Sequence, residues 1–469
     1  MANTATTLIG NPFARLDLPE GLTRSLIDLV RDIDAAAVPD EVRSRAKHSL
    51  IDTVGCIALG SAAGPVQMLR RVVLEPAGGN AADFGATVFG PEPTRASPLN
   101  AALVNGLAGH IRDFDDAGAG GHISAIIVPV VLALAETHAA SGADALSALV
   151  AGYETSFRVN RLLSDSHYYL GFHSSGTVGA FAAAGAASRL LGLTRDQWAM
   201  AFGIAGSLAS GLLANFGSMT KPFHSANAAR AGLLAALLAR EGFTGSPQVL
   251  EHEAGFLRTH TLRSDAEAAL RPLGEPWALS DMIYKFNAAC SGTHSAGDGI
   301  RRLVREHGFT VEDVAGITVR VPKIQTEVAN IQWPVTVEQA KFSIRFVAAA
   351  GLLGINTAEA FPAADSEIAA PAVQAAIGLI DVLPLDGVNH GGAAAIEVRL
   401  KDGGALSASL NSMVPFDDLD AERAAVEDKF RRTAAALWRP AAVDDAVRRL
   451  SRFEDEPSVR AFLADLTCG

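Results

Sequence analysis

Between residues 22 and 251 apolar side chains recur three and four positions apart, the spacing of one helix face. The pattern predicts helices over 22–33 and 39–60, the second opened by Pro39 with Asp40 and Glu41 in its first turn. Further helices are expected over 98–111, 124–140, 143–162, 175–191, 195–216, 222–241 and 245–251, several of them rich in alanine. No strand-like alternation of any length interrupts them.

The pattern changes near residue 280. GITVRVPKI (316–324) alternates and is rich in β-branched residues, as a strand does. AAIEVRLKDGGALSASL (394–410) reads as a hairpin whose two alternating runs meet at Asp402-Gly403-Gly404. Helical patterns lie between them, over 338–354 and 366–380, and helix returns after Asp417. The expected chain is mainly α: a large all-helical domain over 1–274, a smaller α+β domain over 275–410, and C-terminal helices over 411–469 that return to the first domain.

Composition narrows the classes. Of 469 residues, 49% are apolar and 19% charged, which excludes a disordered chain. The 39 Lys+Arg against 51 Asp+Glu give a net charge of -12, the wrong sign for nucleic-acid or anionic-membrane partners. Three separated cysteines (Cys56, Cys290, Cys468) supply neither a disulfide framework nor a four-thiolate cluster, which fits a reducing, cytoplasmic setting. The N-terminus lacks the basic and apolar runs of a signal peptide. An uncharged stretch, 197–220, is broken by glycines, serines and Asn215, so it reads as two buried helices or one kinked one rather than a membrane span.

The candidate chemistry follows from scarce residue types. No lysine occurs between Lys47 and Lys221, and Lys221 stands in SMTKPFHSANAARAG, where Pro222 marks a helix start. A cation beside free helix N–H groups forms an anion site; the alternative is a lysine in an exposed loop. In GHIRDFDDAGAGGHISAIIVP (109–129), Asp113, Asp115 and Asp116 precede a glycine-rich loop, expected to be flexible, and then His122. Such a set serves as an acid/base relay, as a divalent-metal site, or as solvated acids at a helix end. His173 precedes a helix of small residues and is either catalytic or a bonded core histidine. Lys285 either pairs with Asp281 or stands desolvated with altered proton affinity. Cys290 and His294 have metal-like spacing, but two ligands do not make a zinc site. If His122, His173, Lys221, His224 and Lys285 converge, their ligand is a small polycarboxylate.

These segments resemble the MmgE/PrpD family along most of the chain: VPDEVRSRAKHSLIDTVGCIALGS, HIRDFDD…GGHISAIIVPVVLALAE, GFHSSGTVGAFAAAGAASRLLGL, MTKPFHSANAARAGLLAALLAREGFTG, YKFNAACSGTH and EQAKFSIRFVAAAGLL. The resemblance implies a large helical domain plus an α+β lid domain, usually in a homodimer, acting on small polycarboxylates with neither metal nor organic cofactor. It implies a catalytic set of Asp113, His122, His173, Lys221 and Lys285, with His224 and Thr326 at the substrate.

Two positions depart from the decarboxylases of that family. Ala117 stands where they carry threonine, and Thr326 where they carry a lid tyrosine. The departures favour a 2-methylcitrate dehydratase-like lyase, in which a histidine removes a proton α to a carboxylate and elimination follows. A dicarboxylate epimerase is the runner-up and cis-aconitate decarboxylation comes after it. A metal-dependent hydrolase using Asp113, Asp115, Asp116 and His122, or a non-catalytic scaffold, completes the range.

Overall fold

A computed structural model describes residues 16–74, 85–388 and 391–468. The stretch read against a signal peptide lies largely outside these residues, as does the Cys468 side chain. The described residues are mainly helical, with one two-stranded and one four-stranded sheet among them. Among the described residues no single helix is long and apolar enough to cross a membrane.

The helices Pro98–His110, Ser124–Thr137 and Ser174–Leu190 are buried along most of their length, and Thr220–Arg240 along about two thirds of its own. Small side chains make this possible. A Cβ on Gly232 would collide with the Ala180 carbonyl, so two backbones touch where glycine stands. Asp40–Gly60 packs between Pro98–His110 and a helix from the far end of the chain, Leu419–Ala434.

Several expectations need correction. The helix expected over 195–216 ends at Leu208, because Ala209 is extended and Gly211 takes φ 154°. A short 3₁₀ turn, Leu213–Asn215, follows. Residues 245–251 form turns, and short helices appear instead at Phe256–His260 and Ala266–Ala269. The helix expected over 143–162 runs from Gly142 to Tyr169, broken at Ser164 with φ 52°. A hairpin of β1 (Ala86–Val88) and β2 (Thr94–Ala96) was not foreseen, since three residues per strand are too few to alternate.

The larger sheet contains β3 (Val314–Val321), β4 (Ile380–Pro384), β5 (Ala393–Leu400) and β6 (Ala405–Asn411) in the order β4-β3-β5-β6. β3 pairs parallel to β4 and antiparallel to β5, and β5 pairs antiparallel to β6. β4 escaped sequence reading because it is an edge strand with a single buried residue, Ile380, and ends on proline. The helices Ser291–His307 and Ile344–Leu353 cover one sheet face, burying Ile300, Phe346 and Val347 against Ile317, Val319, Ile396 and Val398. The expected helix 338–354 is interrupted at Lys341–Ser343, where the Ser343 side chain caps the second segment by accepting from Phe346 N (3.1 Å). The buried apolar residues thus form two clusters, one helical and one around this sheet, and Phe114 from the acid-rich segment belongs to the second.

Candidate active site

The acid-rich segment begins where the Pro98–His110 helix stops. Asp113 takes φ 49°, a conformation aspartate tolerates better than most residues, and the turn sends alternate side chains to opposite sides. Phe114 enters the sheet-side core, while Asp113 and Asp115 face the two lysines and the histidines. The glycine loop that follows is packed rather than flexible. A Cβ on Gly118 would press on Met282 and Asp281, and one on Gly121 on Ser175. Ser175 Oγ accepts from His122 N (3.1 Å), fixing the loop's exit to the Ser174–Leu190 helix.

Asp113 gathers both lysines. Its Oδ1 accepts from Lys221 Nζ (2.9 Å) and Lys285 Nζ (2.8 Å), and Lys285 also donates to the Asp113 carbonyl (3.1 Å). Burial alone would raise this carboxyl, but Lys221 and then Lys285 outweigh it and hold Asp113 well below the usual carboxylate range. Lys221 donates a second hydrogen bond, to His110 Nε2 (2.9 Å). An ammonium carries no lone pair, so Nε2 accepts and Nδ1 bears the proton it gives to Asp115 Oδ1 (2.7 Å). Burial pushes His110 down to about 3, and it is neutral.

The same logic fixes His122. Its Nδ1 lies 3.0 Å from the Asp116 carbonyl and 3.3 Å from Asp115 Oδ2, both acceptors, so Nδ1 carries the hydrogen. Nε2 is then a free lone pair, 3.7 Å from Asp113 Oδ1. Burial, then Lys285 and Lys221, lower the His122 pKa and keep the ring neutral. His173 Nδ1 meets His224 Nδ1 at 3.0 Å, which leaves Nε2 of His173 disengaged. Burial, then Lys221, depress His173 well below its ordinary value, and His224 falls to about 4 for the same reasons.

A cleft of 740 Å³ opens beside this network. His122, His173 and Lys221 line it; Asp113, Lys285 and His224 lie behind them. The cleft also receives the starts of two helices, through Ser174 and Ser175 of Ser174–Leu190 and Ser291 and Gly292 of Ser291–His307.

Of the two readings of Lys285, the pairing with Asp281 does not occur. Residues 283–290 are not helical, so the fourfold spacing carries no meaning, and the fully buried ammonium turns to Asp113. Lys285 is therefore not a direct cleft contact. Thr326 is not among the cleft's lining residues either. It sits on the short helix Lys323–Val328, whose cleft-facing positions are Ile324, Gln325 and Val328, and its hydroxyl donates to the Lys323 carbonyl (2.7 Å). His294 is held by the Ala289 carbonyl (3.0 Å) and lowered by burial to about 4, so with Cys290 it forms no ligand pair.

His110, Asp113, Asp115 and His122 have ligand atoms within 4.8 Å of one another, a spacing a divalent ion can bridge. The donor set suits one poorly. Two ammonium groups sit on Asp113 Oδ1, placing positive charge where an ion would have to go, and Lys221 holds the only lone pair of His110, while Asp113 Oδ2 has no hydrogen-bond partner. Asp116, accepting from Ser124 Oγ (2.6 Å), is raised well above the carboxylate range by burial and then by Asp52. The residue sequence reasoning missed is His110. Its signal was present, a histidine closing a helix three positions before Asp113, but only the fold brings it to Lys221.

Comparison with known proteins adds two observations. The MmgE/PrpD N-terminal domain model matches residues 24–269 and the MmgE/PrpD C-terminal domain model residues 288–451. A cis-aconitate decarboxylase of Homo sapiens is 29% identical over 456 residues, covering 93% of this chain and 92% of its own. A cis-aconitate decarboxylase-like protein of Aspergillus oryzae is 30% identical over 364 residues, 71% of this chain and 74% of its own. A cis-aconitate decarboxylase of Aspergillus terreus is 29% identical over 305 residues, 61% of each chain.

Proposed function

We propose that this chain, which belongs to the MmgE/PrpD family, is a lyase that removes a proton α to a carboxylate of a small polycarboxylate and expels a group from the adjacent carbon. The observation that carries this reading is the pairing, in one cleft, of a histidine lone pair with a lysine whose other bonds are fixed.

The substrate binds with one carboxylate on the remaining Lys221 donor. His122 Nε2 takes the α-proton, and the electron pair moves onto that carboxylate as an enediolate, which Lys221 stabilises where the charge develops. Asp115 stabilises the resulting imidazolium through Nδ1. Substrate carboxylates beside His173 favour its imidazolium form, so it protonates the departing β-hydroxyl, which leaves as water. Asp113, Lys285, His110 and His224 act behind the cleft as positioning residues.

The dehydratase form is favoured by Ala117 and Thr326, where the resemblance places threonine and tyrosine in the family's decarboxylases, and neither of these positions lines the cleft itself. The cis-aconitate decarboxylase relatives favour a second reading, in which a carboxylate leaves as CO2 and the same lysine stabilises the carbanion. Residues 275–410 would act as the lid of either enzyme.

Proton NMR in D2O, with EDTA present, tests both on 2-methylcitrate, citrate, cis-aconitate, malates and iminodisuccinate. An olefinic product with carbon count retained supports the dehydratase. Loss of a carbon as CO2 supports the decarboxylase. Deuterium at the α-carbon without a new skeleton replaces both with an epimerase.

A further inference from the structure

Of the four tyrosines in the chain, two are bonded within the core. The Tyr153 hydroxyl meets Ser124 Oγ (2.6 Å) and that of Tyr284 meets Ser49 Oγ (3.1 Å). The other two, Tyr168 and Tyr169, line the cleft, and Tyr169 is 58% exposed. Tyr168 is half-buried, and its hydroxyl has no hydrogen-bond partner among the described residues. Nor is that hydroxyl sealed from solvent, so it opens on the space that the residue lines.

The chain is bent to put it there. Ser164 breaks the Gly142–Tyr169 helix at φ 52° and ψ 178°, a conformation costly for residues other than glycine. Such strain gathers at functional sites. The turn after the break is pinned. Ser166 Oγ meets Thr261 Oγ1 (2.7 Å), His167 bonds Thr177 Oγ1 (2.7 Å) and the His260 carbonyl (2.8 Å), and Gly171 N donates to the Tyr168 carbonyl (2.9 Å).

Tyr168 stands at the Lys221 end of the cleft. It shares the wall of an adjoining pocket with Phe216 and Phe342, whose ring centroids lie 5.8 and 5.2 Å from the Lys221 ammonium. Burial, then Cys290 and Asp113, raise its pKa above the usual tyrosine range, so the phenol stays a donor. Asp113 is the same carboxylate that holds Lys221.

We infer that the Tyr168 hydroxyl is a further catalytic group, donating beside Lys221 to the substrate carboxylate on which charge builds. The α-proton goes to His122 Nε2, the electron pair moves onto the carboxylate, and Tyr168 keeps its own hydrogen throughout. Two such donors favour the enediolate over the starting carboxylate, because its oxygens carry the added charge. The inference rests on the proton-abstraction reading above and adds a residue to it.

Calorimetry with succinate and with the nitronate of 3-nitropropionate tests it without turnover. The nitronate carries on its two nitro oxygens the charge an enediolate carries, whereas succinate resembles the starting state. Wild type should bind the nitronate at least about 10²-fold more tightly than succinate. Tyr168→Phe should weaken the nitronate on the order of 10²-fold and succinate by less than about threefold, with thermal melting reporting the fold. Tyr168→Gln, which keeps a donor, should recover part of the loss. Equal losses for both ligands, or an undiminished affinity for the nitronate, overturn this inference alone. A wild-type protein that does not favour the nitronate overturns the proton-abstraction reading and this inference with it.

Discussion

Two buried charge clusters in this protein look alike by composition and differ in what they leave open. One joins Asp113, Lys221, Lys285, His110 and Asp115 beneath the cleft. The other joins the Asp40–Gly60 helix to the Leu419–Ala434 helix. There Glu422 takes Arg45 (2.5 Å) and His48 (2.7 Å), and Lys429 takes Asp52 (2.6 Å) and the Phe114 carbonyl (2.6 Å). In the second cluster the charges face protein groups and none of these residues lines the cleft. In the first, Lys221 reaches the cleft beside His122 and His173, each with bonding capacity to spare. Burial and ion pairing do not mark the functional cluster; unsatisfied donors and lone pairs facing a cavity do.

The sharpest break of that comparison is at the cleft. Lys221→Met and His122→Asn should each lower kcat on the order of 10²–10⁴-fold, with a thermal midpoint near wild type. Losing stability as fast as activity would make this cluster structural like the other. Lys429→Met should do the reverse, costing about 3–5 kcal/mol in denaturant unfolding by leaving Asp52 buried without its cation, while the folded fraction retains turnover.

His110 separates the two kinds of role most finely. His110→Phe removes the acceptor that orients Lys221 and should reduce kcat roughly 10–100-fold with KM little changed, about one charge-assisted hydrogen bond. His110→Gln restores an acceptor and should recover part of the loss. A residue that only filled space would show neither the split between kcat and KM nor the rescue.

Acid should weaken both fold and function. His110, His167, His224 and His294 are held at about 3 to 4 in the folded state, mainly by burial. The unfolded chain therefore binds more protons than the native one below about pH 6.5, and stability falls as pH drops from there toward 4. Thermal midpoints across pH 4–8 should be flat above about 6.5 and decline below it. Activity should fall on the same acid side as His122 gains a proton. The smallest effect belongs to Thr326→Ala, which should leave kcat/KM within about twofold because the hydroxyl serves its own helix.

Much of this was legible beforehand, for physical reasons. Helical periodicity located the long helices because they pack on one another, and the β5–β6 hairpin followed from alternation meeting an Asp-Gly-Gly turn. Residue type and place singled out Lys221, which no lysine precedes back to Lys47, and His122 and His173, each of which stands just before a helix of apolar or small residues. What could not be read depends on contacts far apart in sequence. Lys285 finds Asp113 across 172 residues and His110 finds Lys221 across 111, so no local pattern encodes either bond. Thr326 was placed at the substrate by correspondence of position, and the rotation of its short helix turns Ile324, Gln325 and Val328 to the cleft.

The seam between Arg45 and Glu422 also has a history within each molecule. The two partners are 377 residues apart. At about 5–20 residues per second of synthesis, a nascent Asp40–Gly60 helix spends tens of seconds outside the ribosome before Glu422 is made. During that interval Arg45, Asp52 and the apolar face around them have no covering helix. The N-terminal helices cannot finish folding as they emerge, and this half-built face is what a chaperone would meet first.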